Sequence, residues 1–333
     1  MGDEGSINMQ SLHNKWHAHG VSRYDFVMHA FDSDWIQPEW PAPLGVCAIM
    51  TTRQGGVSSG PWRSMNLGGH VGDSHEQVQA NRDLLANQIK KTPVFMDQVH
   101  GTQVEALPSN GVHLPQADAC WTADHQLACT IMVADCLPVL LCDASGQWVA
   151  AAHAGWRGLA GVNGQGVLES LLSELPVHGH HGELMAWLGP CIGPNAFEVG
   201  QEVRSAFQEG STKNDAFFLP LPNGKYLADL AGLARQRLHQ LGVGQIFGND
   251  GHPSWCTFTN SDRFFSHRRD AARLGSTGRI SSRSASPGAT SSAPCTRCVL
   301  RDTWAQAAVR MQPRLWATST TGPSQPRMTS SSR

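Results

Sequence analysis

The segment at residues 128–154, ACTIMVADCLPVLLCDASGQWVAAAHA, constrains the fold more than any other part of the sequence. It consists of two apolar runs separated by DASGQ, in which Gly146 permits a tight turn. Neither run reaches the about 18 apolar residues that a membrane-spanning helix needs. The pattern predicts two adjacent strands of a buried β-sheet, with Asp135 and Cys136 on the first and His153 at the end of the second.

Strand-like and helix-like segments alternate through much of the chain. GVCAIMTTR, PVFMDQVHG and ELMAWLGPCIG are predicted strands. The predicted helices are SHEQVQANRDLLANQI with Ser74 as its N-cap, residues 161–175, QEVRSAF, and YLADLAGLARQRLHQLG, which stops at Gly242. Alternation without a fixed repeat indicates the α/β (α+β) class, as a single domain of mixed β-sheets flanked by helices.

Composition divides the chain into three parts. Residues 1–44 contain several tryptophans among prolines, so we expect an irregular arm that packs aromatic side chains against the main domain. The main domain is predicted at residues 45–280. Residues 281–333 are rich in Ser, Thr, Pro and Arg, so we expect a disordered tail in which the closing strand of the domain is absent. A shifted reading frame would produce such a change of composition.

Charge and cysteine content indicate the kind of partner. The 25 Lys and Arg residues nearly balance the 27 Asp and Glu residues, for a net charge of -2. We therefore expect small-molecule partners, and neither nucleic acid nor a membrane. Nine scattered cysteines do not resemble a disulfide framework and favour the cytoplasm. The start, MGDEGSINMQ, lacks the basic and apolar regions of a secretory signal, so secretion is not expected.

Three residues of metal-binding type lie where predicted strands end: His100 in DQVHG, Cys136 in VADCLP and His153 in AAHAGWRG. Zinc accepts imidazole and thiolate together, and three protein ligands leave a fourth position open for catalysis; copper also accepts these donors. In a purely structural interpretation, the histidines bond to backbone and the thiol packs in the core. In a third interpretation, Cys136 is a nucleophile with His100 or His153 as its base.

Glycine-rich turns that carry arginines form a second group of candidates. Arg53 lies in TTRQGGVSSGPW, Asn66 and His70 in SMNLGGHVGD, and Arg157 in HAGWRGLAGVNGQG. Free backbone N–H groups before a helix, together with an arginine fork, bind anions such as phosphate. We therefore predict that these four residues bind substrate, and that Asp135 acts beside the thiolate as an acid–base or ligand-orienting group.

Seven sequence blocks between residues 45 and 280 occur in an order that resembles the laccase-domain family. The blocks are TTRQGGVS, NLGGHVGD, QVHG, ADCLPVLL, HAGWRG, GPCIGP and FFSHRRD. The family is also named for multicopper polyphenol oxidoreductases and purine nucleoside phosphorylases, and some bacterial members are called peptidoglycan editing factors.

This resemblance implies both a metal site and a reaction. It assigns zinc binding to His100, Cys136 and His153. It also implies phosphorolysis of adenosine, inosine and methylthioadenosine, together with deamination of adenosine. The expected partners are therefore purine nucleosides and phosphate, while the oligomeric state is left open.

Other functions remain as alternatives. A copper polyphenol oxidase is disfavoured, because only His17-Ala18-His19 and His178-Gly179-His180 offer the His-x-His pairs that its copper cluster requires. The pair of HGE at residues 181–183 and PCTRC at residues 294–298 imitates deaminase motifs, but their separation indicates a chance match. A cysteine-dependent amidohydrolase, a peptidoglycan-editing protein and a binding module without chemistry stay open.

Overall fold

The computed structural model describes residues 34–108, 115–176, 184–208, 212–274 and 277–285. The helices in these stretches are α1 (His75–Ile89), α2 (Trp156–Ala160), α3 (Val167–Glu174), α4 (Gln201–Gln208), α5 (Leu230–Gln240) and α6 (His267–Leu274). The strands are β1 (Cys47–Met50), β2 (Thr92–Val94), β3 (Val104–Leu107), β4 (Ala119–Thr122), β5 (Leu127–Val133), β6 (Leu137–Asp143), β7 (Val149–Ala154), β8 (Leu184–Leu188), β9 (Glu198–Val199), β10 (Phe218–Pro220), β11 (Tyr226–Ala228), β12 (Gln245–Gly248) and β13 (Ile280–Ala285). Both His-x-His pairs and both deaminase-like matches lie outside the described residues.

The apolar segment that dominates the sequence folds as three strands, so the prediction of two was wrong. The hairpin of β6 and β7 forms as expected, but the first apolar run breaks at residues 134–136. Asp135 has a φ of 95°, which an extended strand does not adopt. The chain therefore leaves one sheet after β5 and enters another at β6. A continuous apolar run gives no periodic signal of such a break.

Two sheets form the body of the fold, and both are mixed. One has six strands in the order β12-β8-β6-β7-β4-β3, and the other has four in the order β1-β13-β5-β2. The β3–β4, β8–β12 and β2–β5 pairs are parallel, and the remaining pairs are antiparallel. A third, small sheet has the order β10-β11-β9, and along the chain α4 lies between β9 and β10. The predicted α/β class with mixed sheets is confirmed.

Alternation along β6 places two apolar layers on opposite faces of the six-stranded sheet. Val139 belongs to a cluster that includes Leu171 of α3 and further side chains of α5. Its neighbour Leu140 belongs to a second cluster with Ile131 of β5 and Phe264. Helices therefore cover one face of this sheet, while the four-stranded sheet covers the other.

Strand β13 is present, so the prediction that the closing strand is missing was wrong. Ile280–Ala285 pairs with β1 on one side and β5 on the other. A ladder requires only backbone N–H and C=O groups, and no proline interrupts these six residues, so their polar composition does not prevent pairing. Ser281 and Ser282 are 0% exposed, and no side chain of the described residues accepts or donates a hydrogen bond at either hydroxyl. The expectation of disorder from residue 286 onward concerns residues outside the described part.

The predicted helices form at α1, α4 and α5, but the helix expected after β7 differs from the prediction. Ser74 is the N-cap of α1, as predicted. The helix expected at residues 161–175 begins only at Val167, as α3, because Gly161 and Asn163 adopt positive φ values of 64° and 53°; the short helix α2 lies before the predicted range.

Aromatic residues of the N-terminal arm pack as expected in the described part: Trp35 and Trp40 are buried. All described residues belong to one unit of the chain. Among the helices of these residues, none has the length and apolar character needed to cross a membrane.

Candidate metal and substrate site

His100, Cys136 and His153 converge at one point of the fold. Cys136 directly precedes β6, whose Pro138 pairs with His153 of β7, and His100 reaches the same point from the loop after β2 with a φ of 62°. Their ligand atoms all lie within 4.8 Å of one another. The two imidazole rings are nearly perpendicular, with centroids 4.7 Å apart. The structure thus brings the three predicted ligands together, although His100 lies on a loop and not at the end of a strand.

Asp118, which sequence reasoning missed, holds both histidines in place. Its buried carboxylate lies 2.7 Å from Nδ1 of His153. It also accepts backbone N–H bonds from Val99, His100 and Gly101, at 3.2, 3.0 and 2.7 Å. With Nδ1 of His153 bonded to Asp118, Nε2 is the ring nitrogen left to bind a ligand.

Electrostatics favour a thiolate at the cluster. Burial acts to raise the pKa of Cys136, but the positive charge of His153 and hydrogen bonds from His100 and His153 lower that pKa to about 6. Burial acts to lower the pKa of His153, but the Cys136 thiolate and Asp118 raise it to about 9. Burial likewise acts against ionisation of Asp118, and its bonds to His153 and to backbone N–H groups nevertheless lower its pKa. The cluster thus holds charged groups that would be costly to bury alone.

Two positions of the HAGWRG block are glycine because neighbouring atoms lie too close for a side chain. A Cβ atom on Gly155 would lie 3.0 Å from Sγ of Cys136 and 3.0 Å from Cδ2 of His100. A Cβ atom on Gly158 would lie 2.6 Å from the carbonyl oxygen of Gly101. Side chains at these positions would push the cluster apart, so the glycines are required by packing.

The donor set fits a metal ion. Two imidazole nitrogens and one thiolate suit zinc, whose tetrahedral ligands lie roughly 3.5 Å apart given metal–ligand distances of about 2.0–2.3 Å. The separations of at most 4.8 Å in this chain approach that arrangement. The cluster also opens to a cavity, which leaves room for a further ligand.

The cavity has a volume of about 250 Å³ and brings several other charged or titratable side chains to the cluster. Its further polar lining consists of His70, Gln98, Asp135, His267, Arg268 and Arg279. An apolar part of the wall includes Met132, Ile192 and Phe197. His267, Arg268 and Arg279 were not predicted, although the FFSHRRD block contains the first two.

Asp135 lies in the cavity wall, but its carboxylate is already bonded. Oγ1 of Thr257 donates to Oδ1 and the backbone N–H of Arg268 donates to Oδ2, both at 2.6 Å. The carboxylate therefore ties the loop before Cys136 to the first turn of α6, where it meets the positive end of the helix dipole.

Arg53, Asn66 and Arg157 lie outside the lining of the cavity. The Arg53 guanidinium donates to the carbonyl oxygens of Arg63 and Ser261. Arg157 is exposed, with its guanidinium 4.3 Å from the ring centroid of Trp156.

Asn66 is buried and acts within the protein. Its Oδ1 accepts the backbone N–H groups of Gly68 and Arg279, and its Nδ2 donates to Asp73. Among the four predicted substrate-binding residues, His70 alone lines the cavity. Substrate contact by the other three stays a prediction.

The fold and the site define a mixed-sheet domain with a His–Cys–His cluster of the metal-binding type beside a cavity. The family model described as multi-copper polyphenol oxidoreductase laccase matches residues 47–283. The chain belongs to this family, so the resemblance inferred from the sequence blocks is confirmed. The family and the cluster together indicate a metal site.

Particular relatives carry a different activity in their names. The chain is 49% identical over 250 residues to purine nucleoside phosphorylase PA4543 of Pseudomonas aeruginosa, covering 74% of this chain and 96% of the relative. It is 47% identical over 249 residues to purine nucleoside phosphorylase YfiH of Escherichia coli K12, with the same coverage. The crystal structure of Neisseria meningitidis protein NMB0706 matches with a TM-score of 0.70 and 43% identity, covering 77% of this chain and all of that one.

Proposed function

We propose that this chain is a zinc-dependent purine nucleoside phosphorylase that acts on adenosine, inosine and methylthioadenosine in the cytoplasm. The observation that carries this proposal is the opening of the His100, Cys136 and His153 cluster into a cavity with both cationic and apolar walls. Relatives named purine nucleoside phosphorylase, at 49% and 47% identity, support the same conclusion.

Phosphorolysis joins two substrates in one site. An oxygen of phosphate forms a bond to C1′ of the ribose while the bond between C1′ and the purine nitrogen breaks. The electron pair of the broken bond leaves with the purine, which gains the proton that hydrogen phosphate gives up. The products are ribose 1-phosphate and the free base. Holding both substrates together supplies much of the rate, because it removes the entropy cost of their encounter.

Each part of the cavity has a proposed role. Met132, Ile192 and Phe197 offer an apolar wall suited to a purine ring. His70 contacts the polar part of the substrate. Asp135 positions the Cys136 loop and the first turn of α6 through its two hydrogen bonds.

His100, Cys136 and His153 would hold the metal, and Asp118 fixes the orientation of His153. A zinc ion with these three ligands supplies a Lewis acid with an open coordination position. Copper would use the same donors. The resemblance to the family also supports deamination of adenosine at this site, in which water adds to C6 and ammonia leaves to give inosine.

A second candidate is a cysteine-dependent amidohydrolase or peptidoglycan-editing enzyme. The observation that favours it is the lowered pKa of Cys136, about 6, beside His153. A free thiolate next to an imidazolium is a nucleophile, whereas a thiolate bound to zinc is not free to attack. Metal content therefore separates the two candidates.

Product analysis tests the proposal. Purified protein is incubated with adenosine, inosine or methylthioadenosine, with and without phosphate, and the products are identified by chromatography and mass spectrometry. We expect ribose 1-phosphate and free base only when phosphate is present. Inosine from adenosine without phosphate would identify deamination, and the absence of every product would reject an enzyme of purine nucleosides.

A further inference from the structure

The balance of charge in the cavity favours an anion. Arg268 and Arg279 both line it, and Asp135 is its one carboxylate among the described lining residues. Both oxygens of Asp135 already accept hydrogen bonds, from Thr257 and from the backbone of Arg268. In the described part of the chain, neither arginine belongs to an ion pair. Neither guanidinium therefore has a carboxylate partner at ion-pair distance in the described residues.

In both arginines, the same edge of the guanidinium group has no hydrogen-bond acceptor among the described residues. Nη1 of Arg279 donates to the carbonyl oxygens of Thr277 and Gly278, at 3.2 Å each. Nη1 of Arg268 donates to the carbonyl oxygen of Glu198 at 2.8 Å. Within the described residues, Nε and Nη2 of both side chains have no hydrogen-bond acceptor. This Nε–Nη2 edge is a fork that can bind two oxygens of phosphate.

Other contacts hold the forks in place. The backbone N–H of Arg279 donates to Oδ1 of the buried Asn66 at 2.8 Å, and its side chain passes so close to Gly68 that a Cβ atom there would lie 2.8 Å from Cγ. The guanidinium of Arg268 lies 5.6 Å from the ring centroid of Phe197. Arg279, which is held in this way, loses little further side-chain entropy when an anion binds, whereas Arg268 is exposed and is held by Glu198 and Phe197 alone among the described residues.

We propose that Arg268 and Arg279 form the subsite for the phosphate co-substrate, in the same cavity as the His100, Cys136 and His153 cluster. This inference rests on the proposed phosphorolysis and specifies which side chains hold the attacking group. The forks bind the phosphate oxygens that do not react and orient the remaining oxygen toward C1′ of the ribose. Asn66 is a positioning residue that acts through the backbone of Arg279.

Direct binding of inorganic phosphate tests the subsite without relying on turnover. The zinc-loaded protein is titrated with phosphate by calorimetry, alongside Arg268→Gln, Arg279→Gln and the charge-retaining Arg279→Lys. We expect the phosphate Kd to rise at least about tenfold in each glutamine variant, with less effect in Arg279→Lys. Zinc content and nucleoside Kd should stay unchanged. Arg263→Gln, which alters an exposed arginine outside the lining, is the matched control and should bind phosphate normally.

The outcomes separate this subsite from the proposed function. Loss of phosphate binding in the glutamine variants supports the subsite even if no nucleoside yields ribose 1-phosphate, a result that would reject only the phosphorylase. Normal phosphate Kd and KM in folded Arg268→Gln and Arg279→Gln proteins, with ribose 1-phosphate still formed, would overturn the subsite and leave the phosphorylase intact. The subsite would also be overturned if the wild-type protein failed to bind inorganic phosphate. It would be overturned, too, if the protein bound adenosine monophosphate and inorganic phosphate did not displace it.

Discussion

Nδ1 of His153 lies 2.7 Å from the carboxylate of Asp118, and both side chains are buried. The same carboxylate accepts the backbone N–H of His100, so a single acidic group orients two of the three residues in the cluster. Histidine ligands of metals commonly donate their second nitrogen to a carboxylate, which fixes the tautomer and raises the basicity of the ligating nitrogen. The arrangement therefore predicts how the site responds when either partner is changed.

Asp118→Asn should weaken zinc binding by about 10- to 100-fold, because asparagine loses the negative charge that supports the His153 tautomer. The zinc Kd is measured by competition with a chromogenic chelator. Asp83→Asn, which changes an exposed carboxylate on α1, is the control and should leave the Kd unchanged. An unaltered zinc Kd in Asp118→Asn would show that this carboxylate does not support a ligand.

The purified protein should contain about one zinc ion per chain, and Cys136→Ser or His153→Ala should remove both the metal and the activity. Loss of one of three protein ligands leaves an incomplete site, and His153 is also buried against Asp118. Zinc is measured by atomic emission, and His239→Ala, an exposed histidine on α5, serves as the control. Full zinc occupancy in both cluster variants would reject these ligands.

The sequence predicts the three residues of the cluster but not Asp118, which orients the two histidines. His100, Cys136 and His153 can be proposed as ligands because each is of metal-binding type beside an apolar run, and because the sequence blocks that contain them resemble a family that binds metal. Asp118 is 35 residues from His153, and a single aspartate before a strand has no local pattern that marks its partner. Arg279 has the same difficulty, since only the folded sheets bring it to the cavity of Cys136.

The strands show a related limit. The break at Asp135 interrupts a run whose side chains are apolar on both sides, so periodicity does not reveal it. Strand β13 forms despite its serines, because its backbone groups pair with β1 and β5 whatever side chains it carries. Side-chain composition therefore predicts neither the pairing nor the burial of this strand.

In the metal-free protein, Cys136 and His153 should form a thiolate–imidazolium pair between about pH 6 and about pH 9, their pKa values in the folded state. Folding lowers the pKa of Cys136, so its contribution to the free energy of unfolding is full above the ordinary thiol pKa and is lost as pH falls toward about 6. Folding raises the pKa of His153, so its contribution is full below the ordinary imidazole pKa and is lost as pH rises toward about 9. The two dependences oppose each other between these limits, so the free energy of unfolding of the wild-type protein should change little with pH there.

Urea unfolding at a series of pH values measures this dependence, and ultraviolet absorbance of the thiolate reports ionisation of Cys136 directly. Cys136→Ser should lack the absorbance change near pH 6, and its free energy of unfolding should fall as pH rises, because the contribution of His153, still supported by Asp118, is no longer opposed. A thiol that ionises only near its ordinary pKa of roughly 8.5 in the chelated protein would contradict the prediction.

The serines of β13 differ in how their hydroxyls are bonded. Ser281 and Ser282 are fully buried with hydroxyls that lack a hydrogen-bond partner among the described residues, whereas the hydroxyl of Ser284 donates to the carbonyl oxygen of Ala150 at 3.0 Å. An unpaired buried hydroxyl costs about 1–3 kcal/mol, so Ser281→Ala and Ser282→Ala should each stabilise the fold by about 1 kcal/mol. For a domain of this size that is a rise in Tm of roughly 2–4 °C.

Ser284→Ala is the matched control, because it is the same substitution on the same strand but removes a hydroxyl that is hydrogen-bonded. It should lower the Tm, since the bond to Ala150 is lost and no buried penalty is relieved. Calorimetry of the three variants gives the comparison directly. Equal Tm values for all three would mean that β13 does not bury its serines between β1 and β5, and a lower Tm in Ser281→Ala and Ser282→Ala would mean that their hydroxyls are bonded in the folded protein.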